Sequence, residues 1–124
     1  MTGSGGAMGG AIAVRLAAAG ARIVLNYRIP ERAAVHQAAV EAHGVPAVSV
    51  TASTSRPAGA RARYLGRLDI LVNTVGGIKG PARVPVLDIP DEQWDGTVAV
   101  SLTATFLCTR EAAPAMIAQR SGKS

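Results

Sequence analysis

Thr2-Gly3-Ser4-Gly5-Gly6-Ala7-Met8-Gly9 opens the chain and leads straight into Gly10-Ala11-Ile12-Ala13, which reads as the start of a helix. Glycines let a backbone approach a pyrophosphate closely, and the helix N-terminus behind them presents unbonded amides and the positive end of its dipole. The spacing is not that of the G-x-G-x-x-G fingerprint, because Gly3 and Gly5 would require a glycine where Met8 stands. A flexible N-terminus is also glycine-rich, so this stretch acquires its meaning from the segments downstream of it.

Outward from the loop, helix-like and strand-like patterns alternate. Residues 9–19 place Ile12, Ala13, Leu16 and Ala17 on one face at spacings of three and four, and Gly20 ends the run. Arg22-Ile23-Val24-Leu25-Asn26-Tyr27 is the short aliphatic run of a parallel strand buried on both faces. Pro30 suits a first helical position and Glu31 complements the dipole there; that helix is predicted to about residue 43, where Gly44 closes it. Residues 45–50 predict a second strand, with Pro46 tolerable only at its start. Residues 53–66, broken by Pro57 and Gly59, hold a short helix at best. Leu68-Asp69-Ile70-Leu71-Val72-Asn73 predicts a third buried strand, and residues 76–90 a loop rich in Gly and Pro. A long helix is expected from about Asp91, with Trp94, Val98, Leu102 and Phe106 along one side and a kink or end at Pro114. Residues 120–124 are polar and loop-like. Such alternation means an α/β fold, a doubly wound parallel sheet covered by helices.

A length of 124 residues fits one domain and falls short of two full dinucleotide-binding halves. With 48% hydrophobic and 17% charged residues the chain is globular rather than disordered. It has no apolar run long enough for a membrane span and no signal-peptide pattern, so a cytoplasmic protein without membrane contact is expected. Cys108 is the only cysteine, which excludes an internal disulfide and reads as a small buried hydrophobe. The net charge of +5 comes from scattered arginines; only Arg56 to Arg67 form a loose cluster, with few aromatics nearby, which speaks against specific nucleic-acid binding. A basic surface does favour an anionic dinucleotide. His36 and His43 are seven apart, too far for an i, i+4 metal pair, so no metal site is expected. No Gly-x-Ser-x-Gly elbow is present, and Asp91 and Glu92 read as favourable charges at a helix start.

Several of these segments together resemble the short-chain dehydrogenase/reductase family. Thr2, Gly3 and Gly9 match its Thr-Gly-x-x-x-Gly-x-Gly cofactor loop, with Ala7 in place of the middle glycine. Residues 68–76 look like its strand ending in Asn-Asn-Ala-Gly, with Asn73 and Gly76 kept and Thr74 and Val75 different. Asp91-Glu92-Gln93-Trp94-Asp95 and Leu102-Thr103-Ala104-Thr105-Phe106 resemble its long interface helix. The resemblance covers nearly the whole chain, in order, and implies a Rossmann-type sheet in which residues 1–124 are one partial dinucleotide-binding domain. Its first strand and its C-terminal half are expected to be missing, the first through a start placed at an internal GTG or ATG codon and the second through a frameshift, a premature stop or a sequence edge. An isolated chain of this kind is expected to be only marginally stable.

The resemblance implies a nicotinamide dinucleotide held by Thr2, Gly3, Gly5, Met8, Gly9, Arg28, Asn73 and Gly76. The strand that would carry an acidic residue for a ribose 2′-hydroxyl ends instead in Asn26-Tyr27-Arg28, so NADP is favoured over NAD, with Arg28 facing the 2′-phosphate. Ser49 stands where the family usually has an aspartate near the adenine. Hydride transfer in the family uses Tyr-x-x-x-Lys and a preceding serine; the residues four beyond Tyr27 and Tyr64 are Glu31 and Leu68, so neither makes the motif. Ser101 stands at the position of the family's catalytic asparagine. The expected function is therefore the cofactor-binding portion of an NAD(P)-dependent oxidoreductase acting on an alcohol or carbonyl, inactive as this chain alone. The alternative is a non-catalytic nucleotide-binding or dimerisation subunit. The resemblance also implies a homo-oligomer formed through the helix at residues 91–116.

Overall fold

The computed structural model describes residues 1–51 and 66–124. The short helix anticipated in residues 53–66, Arg56, Arg61, Arg63 and Tyr64 lie wholly or mostly outside the described residues. Helix α1 spans Ala7–Ala18 and strand β1 Ile23–Tyr27. Helix α2 follows over Pro30–Glu41, with proline in its first turn as anticipated, and strand β2 over Ala47–Thr51. A single 3-10 turn at Val86–Asp88 precedes one long helical run: α3 (Asp91–Val98), a π-helical turn (Ala99–Thr103) and α4 (Ala104–Gln119).

Strands β1 and β2 pair in parallel, Ile23 opposite Ala47 through Tyr27 opposite Thr51. The other edge of β1 is extended by the first two residues of the chain: the Met1 amino group donates to the Val24 carbonyl at 2.6 Å, and Asn26 N–H donates to Met1 O at 3.0 Å. Thr2 N–H in turn donates to Val72 O at 2.8 Å, while Leu71 N–H donates to Lys123 O and Lys123 N–H to Asp69 O. The lateral order is thus β2, β1, residues 1–2, residues 68–73, residues 122–124, with parallel bridges Thr2–Asn73 and Ile70–Lys123. This is the Rossmann-type arrangement in incomplete form.

Three expectations are corrected. Residues 68–73 do not form a buried strand. A ladder needs a run of partners on its flanks, and here residues 1–2 and 122–124 supply isolated bridges only, leaving Ile70 47% exposed. Nor are residues 120–124 merely a loop, since Lys123 completes one of those bridges. The long helix also runs through Pro114 to Gln119. Proline deprives the Arg110 carbonyl of its partner, but Arg110 is exposed, so water can replace the lost bond.

The core lies where α1 and α2 cover the β1–β2 pair. Ala13, Ala17, Ile23, Leu25 and Val40 are buried, with Leu16, Tyr27 and Val45 packed around them. Ala13 and Ala17 belong to the predicted face of α1; their small side chains set the helix close to the strand. On α4 the buried residues Ala104, Cys108 and Ala112 recur every four positions, and Gln119 clamps residue 68 by donating to Leu68 O at 2.8 Å and accepting from Leu68 N–H at 3.0 Å.

A candidate dinucleotide groove

A groove of about 580 Å³ opens along the edge of the sheet where β1 and residues 68–73 end. Its floor is the turn of Gly3, Gly5 and Gly6 that enters α1. Gly3 has φ +68°, a left-handed conformation, and a Cβ there would stand 2.8 Å from the backbone of Thr74 and Val75. A Cβ at Gly9 would stand 2.4 Å from Gly3 O, so the turn and the first helical residues fit only without side chains at these two positions. Ala7, in place of the family's middle glycine, points its methyl into solvent and disturbs nothing. The N-cap of α1 is Gly6, which offers no side chain to bond the first-turn amides.

Hydrogen bonds hold this turn to both flanking segments. Ser4 Oγ donates to Asn26 O at 2.8 Å and Ser4 N–H to the same oxygen at 3.1 Å. Thr74 Oγ1 donates to Thr2 O at 2.6 Å, Thr2 Oγ1 donates to Asn73 Oδ1 at 3.3 Å, and Asn73 Nδ2 donates to Thr109 Oγ1 at 3.4 Å. Thr2 and Asn73 are thus tied to each other behind the groove rather than lining it.

One wall carries Arg28 and Arg32, at the end of β1 and in the first turn of α2. The other is residues 74–79, backed by Gly96, Ala99 and Val100 of the long helix. Three cations and no carboxylate line the groove among the described residues. The second wall is fastened by side chains one helical turn apart. Gly77 N–H donates to Ser101 Oγ at 3.4 Å and Lys79 N–H to Thr97 Oγ1 at 3.1 Å, while Gln93 Nε2 donates to Pro81 O at 2.9 Å. Thr97 Oγ1 itself donates to Gln93 O at 2.7 Å. Ser101 lies in the π-helical turn, 3.5 Å from where a Gly76 Cβ would stand.

Of the residues singled out from the sequence, Gly3, Gly5, Arg28 and Gly76 line the groove; Gly9 is packed under its floor, and Met8 is 72% exposed on the first turn of α1, outside the lining. Ser49 Oγ is hydrogen-bonded to Gln37 Oε1. Arg32, Lys79 and the fastening residues Gln93 and Thr97 were missed. The four-residue spacing of Gln93, Thr97 and Ser101 was the available signal, adjacent to the apolar series at 94, 98, 102 and 106. Cys108 lies away from the groove, and burial raises its thiol pKa above the ordinary value. Among the described residues no cluster of metal-ligating side chains occurs and no helix is long and apolar enough to cross a membrane.

Comparison with known proteins gives a consistent result. The model of the family described as short chain dehydrogenase matches residues 1–123. A protein of Streptomyces violaceoruber assigned as ketoacyl reductase 1 of the granaticin polyketide synthase is 36% identical over 132 residues, covering 99% of this chain and 47% of the relative. An NAD⁺-bound xylitol dehydrogenase superposes with a TM-score of 0.90 at 29% identity, over 98% of this chain and 48% of that one. A metagenomic short-chain oxidoreductase in complex with NADP gives 0.81 at 35% identity, over 98% and 57%. The chain spans about half the length of the curated relatives it matches.

Proposed function

The chain belongs to the short-chain dehydrogenase family, and from that premise we propose that its groove holds a nicotinamide dinucleotide, with NADP preferred over NAD, for hydride transfer between an alcohol and a carbonyl. The observation that carries this reading is the composition of the groove: a glycine floor that a side chain would fill, a helix N-terminus above it, and, among the described residues, a cationic lining without a carboxylate. The turn of Gly3, Gly5 and Gly6 accommodates the pyrophosphate, Arg28 pairs with the 2′-phosphate, and Gly76 leaves room beside the ribose of the nicotinamide. Thr2, Asn73 and Gly9 hold these elements in place, and Met8 contributes its first-turn amide. When bound, the dinucleotide supplies or accepts the hydride. The test is the ratio of dissociation constants for NADPH and NADH. NADPH is expected to bind tighter, and Arg28→Ala to weaken NADPH by about tenfold, as for loss of one charge-assisted hydrogen bond, while sparing NADH. A preference for NADH that Arg28→Ala leaves unchanged overturns the NADP assignment.

A second reading comes from a different observation: Ser101 stands where the resemblance places the asparagine of the catalytic group. On it, the chain binds dinucleotide without turnover, alone or paired through the long helix, where Trp94, Leu102 and Phe106 are exposed. Dinucleotide binding with no change in NADPH absorbance across a panel of ketones and aldehydes is the expected result; turnover with any of them refutes it.

A further inference from the structure

Lys79 is presented to the groove by contacts that the cofactor reading leaves unused. Its backbone is fixed by Thr97, and the residues on either side are fixed by Ser101 and Gln93. Its side-chain stem lies on Gly96, where a Cβ would stand 3.1 Å from Lys79 Cγ and 3.3 Å from its Cβ. Ordering a lysine side chain normally costs rotamer entropy; the seat on Gly96 restricts the stem before any ligand arrives. The ammonium has no ion pair among the described residues, and the groove it lines has no carboxylate. Residues 1–2 separate β1 from residues 68–73, so the Lys79 and Arg28 walls stand about 10 Å apart at the level of the strands, two strand spacings.

We propose that Lys79 is an anion-binding residue that takes a carboxylate or phosphate group of the molecule in the groove, separate from the group facing Arg28. The proposal rests on the reading of this groove as a dinucleotide site only for where the ligand lies, and two sources can supply the anion: the pyrophosphate of the dinucleotide, or an acidic group on the substrate bound beside it. The experiment compares the chain with its Lys79→Gln and Lys79→Arg variants. NADPH and NADH are titrated by fluorescence; then methyl phosphate and succinate are titrated onto the NADPH-saturated chain while the amide resonances of Gly77 and Lys79 are followed. Lys79 is exposed, so neither substitution disturbs the core. If the pyrophosphate is the source, Lys79→Gln weakens both dinucleotides by about tenfold and Lys79→Arg restores them. If the substrate is the source, dinucleotide affinity is unchanged, and the shifts induced by the small anions vanish in Lys79→Gln and persist in Lys79→Arg. Equal dinucleotide affinity together with equal anion-induced shifts in the chain and in Lys79→Gln overturns the proposal. If the unsubstituted chain binds neither dinucleotide, the cofactor reading fails, and the same anion titration on the free chain decides the role of Lys79 by itself.

Discussion

Gly3 carries two constraints at once, a left-handed φ and a backbone neighbour 2.8 Å from any added Cβ. Alanine there has to adopt a conformation that L side chains rarely take and to push Thr74 away from the turn. Gly3→Ala is therefore expected to cost about 1–3 kcal/mol in stability by urea unfolding, and to abolish measurable NADPH binding, because the floor and wall of the groove move together. Unchanged binding would show that this turn does not approach the cofactor. Gly6 separates strain from occupancy: its backbone is extended and a Cβ there meets nothing closer than Gly3 O at 3.5 Å, so Gly6→Ala should cost less stability than Gly3→Ala even though it too lies on the groove floor. Between β1 and residues 68–73, the Met1 amino group is buried, and desolvation lowers its pKa from the ordinary 8.0 to about 6. The unfolded chain then binds more protons than the folded one between those values. The contribution to stability is complete above pH 8 and is lost as pH falls through about 6. In the chain made with Met1 first, this shift is worth about 2–3 kcal/mol, read as a fall in the urea midpoint between about pH 8 and about pH 6. A midpoint independent of pH over that window contradicts the buried position of the amine.

The long helix shows at the scale of an element what sequence reading caught and what it passed over. Its start at Asp91 and its i, i+4 apolar series were legible, because periodicity is a local property of the chain. The adjacent series Gln93, Thr97 and Ser101 has the same period, but polar side chains on a helix are ordinarily solvated, and only the neighbouring loop turns them into fasteners. Likewise β1, β2, α1 and α2 were legible from aliphatic runs and from Gly and Pro at their ends. Residues 68–73 have the same aliphatic composition and yet make bridges only, since pairing depends on how much chain lies alongside. In the groove, Gly3 and Arg28 were found from motif and strand end. Arg32 and Lys79 were not, because being in a wall depends on tertiary packing. The fastening predicts a specific loss. Thr97→Val keeps the shape of the side chain while removing both the acceptor for Lys79 N–H and the donor to Gln93 O. It should cost about 1 kcal/mol and speed hydrogen exchange at the Lys79 amide, with α1 and β1 amides unaffected. Exchange at Lys79 as slow as in the unsubstituted chain would mean that the loop is held by something else.

At the scale of the molecule, the described residues bury little bulk and leave much apolar surface outside. Among them the largest fully buried side chains are Leu25, Val40 and Ser4, whereas Trp94, Leu102 and Phe106 are 63%, 69% and 57% exposed along the long helix. An α/β layer is stable when helices bury one stripe against a sheet wide enough to receive it. Among the described residues the receiving sheet has one two-stranded ladder and bridges beyond it, so the helix keeps a second apolar stripe facing solvent. Contiguous exposed apolar surface of this kind favours association, and a second copy offering the same stripe can cover it about a two-fold axis. The chain alone is therefore expected to unfold with less than about 5 kcal/mol of stability and to gain stability with concentration as copies associate. Trp94→Glu with Phe106→Glu tests this at the surface without touching the core. Sedimentation velocity should show the unsubstituted chain as a dimer or larger and the double variant as a monomer. The variant should also lose the concentration dependence of its melting temperature, while its affinity for NADPH stays within about twofold, because neither residue lines the groove. A chain that sediments as a monomer and melts sharply at every concentration would show that the small core suffices and that the exposed stripe has no role in association.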